Sequence, residues 1–175
     1  MKKKLTILSV LLLAFYSYSQ HIKTPTFEIS FPLEPKFEEV TTETDAGDST
    51  IKMYQLRHLN SMILMMEGTI DEEYDFESIE EVTKASLQGA RNGSNDNLAL
   101  QLGTKATNTS EVFYQYKDKI LALKSSDVIG PFFGNTFATI FQNKMYSIMV
   151  FSQTNEEGTT LYNNLLDSFK LVHLK

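Results

Sequence analysis

Thr136-Phe137-Ala138-Thr139-Ile140-Phe141 and Tyr146-Ser147-Ile148-Met149-Val150-Phe151-Ser152 are the two runs on which the fold turns. Both are rich in aromatic and β-branched residues, short, and separated by a polar Gln-Asn-Lys step, so they read as paired strands of a hairpin turning at Asn143-Lys144. Working outward toward the N-terminus, Gly130-Pro131 and Gly134 break the chain, and Ile120 to Ser125 is a further strand. It is joined through Asp118-Lys119 to Glu111–Lys117, which Leu98–Thr107 precedes as another candidate strand. Toward the C-terminus, Leu161, Leu165 and Phe169 recur at four-residue spacing and predict a helix over Thr159–Ser168. Phe169–Leu174 then reads as a closing strand.

The first half of the chain alternates in the same way. Phe27, Ile29 and Phe31 are interleaved with Glu28 and Ser30, a strand ended by Pro32 and Pro35. Phe37–Glu43 is a second extended piece, followed by an Asp45-Ala46-Gly47-Asp48 turn. Thr50–His58 and Ser61–Thr69 are two strands joined at Leu59-Asn60. The period then changes: Phe76, Ile79, Val82, Thr83, Leu87 and Ala90 have helical spacing, with Asp71, Glu72, Glu73 and Asp75 at the dipole-favoured start. Asp75 or Ser78 is the expected cap, Ser78 making a capping box with Glu81; Gly93 is the expected stop, and Asn92–Asn97 an expected polar loop. The pattern is α+β, one antiparallel sheet with helices against it.

The first 19 residues read as an export signal. Lys2, Lys3 and Lys4 precede an apolar run from Leu5 to Phe15, and Ser17-Tyr18-Ser19 supplies small residues for cleavage before Gln20. The run, roughly 11 to 14 residues, is shorter than the ~20 a spanning helix requires. No cysteine follows it, which excludes a lipid-anchored form. Cleavage after Ser19 leaves 156 of the 175 residues, the size of one globular domain over 20–175, periplasmic or secreted. The signal holds three of the 16 Lys and Arg and none of the 22 Asp and Glu, so the remainder carries 13 basic against 22 acidic residues, a formal charge of −9. That acidity argues against nucleic acid and against anionic lipid. Absence of cysteine removes disulfides, thiol catalysis and thiolate metal sites.

Phe27-Glu28-Ile29-Ser30-Phe31-Pro32 and Leu165-Leu166-Asp167-Ser168-Phe169-Lys170-Leu171, with the same order of strands and helices between them, resemble the opening and the close of PsbP/Mog1-like domains. The resemblance implies an α/β/α sandwich without catalysis. Relatives in that family act by binding proteins: a lumenal photosystem accessory subunit, a binder of a small nuclear GTPase, and chaperones of secreted effectors. It supplies no active site to carry over.

The chemistry-bearing constellations stand or fall on their own spacing. The acids from Asp71 to Glu81 are spread around a helix start and lack the convergent loop that calcium needs; a solvated helix face is the better reading. Asn92–Asn97 has one carboxylate and would be a poor site. Met62, Met65 and Met66 offer thioethers to copper, but on a strand Met65 points away from the other two, and core filling explains them. His21 and His173 lie near the ends, with a metal clip at Gln20-His21 set below a frayed terminus. His58 has no G-x-S-x-G partner. Asn92-Gly93-Ser94 and Asn108-Thr109-Ser110 match glycosylation sequons and are expected to be idle. Phe132 and Phe133, bracketed by Gly130-Pro131 and Gly134, are the expected partner-contact loop if they do not tuck into the core. The expectation is an exported, non-catalytic protein that holds a protein partner through its sheet or this loop, without metal or cofactor. A small-ligand or lipid carrier comes second, and a hydrolase with a dispersed site third.

Overall fold

In the computed structural model, residues 19–44, 47–70 and 80–174 are described. The acids from Asp71 to Asp75 and Ser78, expected to start and cap the first helix, therefore lie outside the described residues, as do the expected export signal up to residue 18 and part of the expected Asp45–Asp48 turn. The chain runs β1 (Gln20–Lys23), β2 (Phe27–Phe31), β3 (Lys36–Thr44), β4 (Gly47–His58), β5 (Ser61–Thr69), α1 (Glu80–Gln101), β6 (Ala106–Tyr116), β7 (Ile120–Ile129), β8 (Phe132–Phe141), β9 (Lys144–Ser152), α2 (Asn155–Ser168) and β10 (Lys170–Leu171).

Seven strands form one antiparallel sheet in the order β3-β4-β5-β9-β8-β7-β6, and β1-β2-β10 form a second, three-stranded one. The β8–β9 hairpin sits near the middle of the large sheet. Its register pairs Phe141 with Lys144, so the turn is Gln142-Asn143, one residue earlier than its sequence suggests. Both turn residues have positive φ, 51° and 56°, the backbone that a two-residue hairpin loop requires. Seven consecutive residues of each strand are buried because both faces of the sheet are covered there.

The two helices take opposite faces. Leu87 of α1 packs on Leu123, Ala138 and Ile140, while Tyr162 and Leu165 of α2 join Phe137, Ile148 and Val150 on the other side. The small sheet lies beside α2 and contributes Phe27, Ile29 and Phe31. Phe169, 1% exposed, is the hub of that side: its ring lies 5.7 Å from Phe137 and 6.1 Å from each of Phe27, Tyr116 and Tyr146. The layers are thus helix, sheet, then helix with small sheet, the α/β/α sandwich.

Three departures from the sequence reading have physical causes. α1 runs through Gly93 and through the expected Asn92–Asn97 loop to Gln101, so the strand expected from Leu98 begins only at Ala106. Thr83, Leu87, Arg91, Asn95 and Ala99 form its buried stripe, and the apolar period lapses where Arg91 and Asn95 replace apolar residues. Gly103 supplies the stop instead. Its φ is +63°, its N–H donates to the Leu100 carbonyl, and the Thr104 N–H reaches back to the Ala99 carbonyl at 2.9 Å, a Schellman closure. α2 begins four residues earlier than expected. Gly158 is inside it because a Cβ there would sit 2.8 Å from the Ser152 Cβ. Finally, Gln20 and His21, expected to fray, are in register with Phe31 and Ser30, and the His21 Nδ1 lies 3.1 Å from the Ser30 hydroxyl.

Candidate docking surface

Phe132 and Phe133 are not the tip of a loop. Ile129 pairs with Phe132, so Gly130-Pro131 is a two-residue turn and the two rings open β8. Adjacent strand residues point to opposite faces. Phe132 therefore lies on the α1 face, packed near Ala99, Met149 and Phe151, whereas Phe133 lies on the α2 face beside Val128, Asn155 and Thr159. Both are half-buried.

Phe132 lines an open groove of about 430 Å³ between the C-terminal end of α1 and the β4–β5 turn. Leu98 and Leu102 come from the helix side, Leu59, Met62 and Arg57 from the hairpin. Gly134 helps to shape it: the Phe151 ring lies 3.2 Å from where a Cβ on Gly134 would be, so a bare backbone there lets the ring lie against β8. Local backbone chemistry pushes apolar side chains outward around the rim. Leu59, at φ 52°, is 78% exposed in its two-residue turn, and Leu102 is 41% exposed at the helix cap. Arg57 is exposed, with no ion-pair partner among the described residues.

The groove opens onto a broader apolar strip. α1 crosses β6, β7 and β8, and among the described residues no helix covers β3, β4 and β5 on that side. Strand registers place Val40, Ile51, Met53, Leu64 and Met66 together there. Val40 and Ile51 are exposed and the other three half-buried. Met62 and Met66 share this face, and Met65 is fully buried on the other. The three thioethers thus do not converge, and the Met62 sulfur already accepts a weak hydrogen bond from Gln55.

A second concentration of polar chemistry is sealed under α1. The Arg91 guanidinium grips the Asp127 carboxylate with two nitrogens, Nε at 3.3 Å and a shorter contact from Nη2, and its Nη1 lies 3.0 Å from Glu111. Asn108 and Ser125 also donate to Asp127, at 3.1 and 3.2 Å, and Gln88 donates to Glu111 at 2.6 Å. Burial pushes the Asp127 carboxyl up, but the hydrogen bonds from Arg91 and Asn108 and the Arg91 charge together outweigh it and hold it below its usual range. The Asp127 side chain is wholly buried, so this network ties helix to sheet. It also answers for one sequon: the Asn108 side-chain amide is engaged with Ser110, Ser126 and Asp127.

The remaining candidates stay apart. His58 ends β4 and is half-buried, and His173 follows β10 and is exposed. Glu80 and Glu81 pair with Lys84. Among the described residues no three histidines or carboxylates converge as a cation would require, and no helix is long and apolar enough to cross a membrane. The signal that could have found the groove in the sequence is the isolated leucine of Leu59-Asn60. A two-residue turn normally carries polar residues, and an apolar one there stands out.

No protein-family model matches the sequence, and no curated protein matches it. Among solved structures, the solution structure of cyanobacterial PsbP (CyanoP) from Synechocystis sp. PCC 6803 is similar to this chain, with a TM-score of 0.58 over 89% of this chain and 93% of that one, at 11% identity. The fold is PsbP-like.

Proposed function

We propose that this protein is an exported, non-catalytic accessory protein. It holds an apolar segment of a protein partner in the groove at the C-terminal end of α1. One observation carries the reading: Leu59 and Leu102 stand exposed around a concave floor that includes Phe132 and Met62, with Arg57 at the rim. Interface centres are enriched in aromatic residues, methionine and arginine, and an apolar cluster with an unpaired arginine beside it suits a segment bearing one carboxylate. Methionine side chains adapt to the shape of what they meet. The PsbP-like fold supports an accessory role over an enzymatic one, and the lysine-led apolar N-terminus supports export.

The test is to tag the protein at its C-terminus, expose it to native envelope extract, and compare wild type with Leu59→Asp and Phe133→Ala. Leu59→Asp should abolish retention of a partner held by wild type, with melting unchanged, because the side chain is almost entirely in solvent. Phe133→Ala, on the opposite face, should retain it. A partner bound equally by Leu59→Asp, or turnover by the purified protein lost on a single polar substitution, would refute the reading.

A further inference from the structure

The large sheet ends in β3 on one side and β6 on the other, and the two edges differ in chemistry. β3 carries Lys36, Glu38 and Glu39 within its first four residues, and charges of this kind keep an edge from pairing with a stray strand. β6 has one charged residue in eleven, Glu111, and its carboxylate is turned onto Arg91 and Gln88 beneath α1. The strand is otherwise uncharged and contains no proline, and Val112 on it is 54% exposed. A bulge between Asn108 and Ser110 interrupts the pairing with β7, leaving Ser110–Tyr116 as a regular edge that no further strand among the described residues pairs with.

We propose that β6 is a self-association edge, through which two copies of the chain join antiparallel into one continuous sheet. The sequence of the edge is complementary to itself when the two-fold axis passes at Phe113. Val112 then lies opposite Tyr114 of the second copy, Glu111 opposite Gln115, and Ser110 opposite Tyr116. Every pairing joins residues of the same face, so the two α1 helices end on one side of the joined sheet. No like charges face one another; Phe113 meets its own copy on the axis, and the Val112–Tyr114 pairs beside it set a β-branched residue against an aromatic one, a favourable cross-strand combination. A strand donated by a different protein would gain the same backbone hydrogen bonds but would have no reason to match this register.

Sedimentation velocity on the purified protein, from low micromolar to its highest soluble concentration, tests the inference. Wild type should dimerise reversibly. Val112→Lys should abolish the dimer with the melting transition kept, while Val40→Lys on the β3 edge should leave it intact. The register is tested at Gln115: Gln115→Glu places carboxylates opposite one another twice per dimer and should weaken association by about threefold or more, whereas Gln115→Lys should not weaken it. Should Val112→Lys fail to fold, the Gln115 pair still decides. A wild type that stays monomeric throughout overturns the proposal, as does a dimer indifferent to Val112→Lys or weakened equally by both Gln115 changes. Monomeric protein would overturn it even if β6 captured a strand of another protein.

Discussion

At the scale of single residues the main surprise is Arg91. Between Ala90 and Asn92 on α1, its side chain is only 10% exposed, because Asp127 waits for it on β7. Nothing local announces that pairing, since 36 residues separate the two. Breaking a buried pair from one side leaves an uncompensated charge, which typically costs about 3–5 kcal/mol. Asp127→Asn keeps the shape and removes the charge, so it should destabilise the protein by about 3 kcal/mol in urea unfolding. It should also flatten the acid limb of the stability curve. The Asp127 carboxyl titrates lower when folded than when unfolded, so its contribution is present above the unfolded value near 3.8 and is lost as pH falls through the depressed folded value. Wild type should therefore lose stability below about pH 4 more steeply than the variant. Equal acid limbs would show that the pair is not formed.

At the scale of elements the strands are legible in the sequence and the extent of one helix is not. β2, β4 and β5 follow their alternation because one face is wetter than the other; in β2, Phe27, Ile29 and Phe31 are buried while Glu28 and Ser30 between them are only half-buried. The true end of α1 is hidden because two glycines compete for its stop and the nearer stands amid asparagines. Gly93 has open space around its Cα, with no atom within 4 Å of the point where a Cβ would sit, whereas Gly103 is left-handed. Gly93→Ala should therefore stabilise by about 0.5–1 kcal/mol, as an exposed mid-helix glycine is replaced by the best helix former. Gly103→Ala should destabilise by about 1 kcal/mol, because the left-handed backbone now bears a Cβ. The signs are opposite at two glycines ten residues apart. Thermal melts of the two variants would reverse if the helix ended at Gly93.

At the scale of the whole molecule, what the sequence disclosed was the core, and what it concealed was the surface. Phe27, Ile29, Phe31, Leu165, Phe169 and Leu171, the positions on which the PsbP/Mog1-like resemblance rests, all meet in one buried cluster. Core positions repeat with the period of their element and so leave a readable trace. The groove gathers Leu59 from a turn, Leu98 and Leu102 from the end of α1 and Phe132 from the start of β8, so no single element's period marks it. The same geometry makes the two sheets interdependent. Phe169 sits between α2 and β10 and touches Phe27 of the small sheet as well as Tyr116, Phe137 and Tyr146 of the large one. Its backbone carbonyl also accepts the Tyr116 hydroxyl at 2.8 Å. Phe169→Ala should cost about 3–5 kcal/mol, since neighbours held by both sheets cannot collapse into the space. Amide exchange locates that loss. If the sheets form one cooperative unit, β2 and β8 amides should lose protection together and by the same free energy. If instead β2 opens while β8 keeps its wild-type protection, the small sheet is a separately unfolding layer, and the N-terminal strands contribute little to the stability of the sheet that carries the groove.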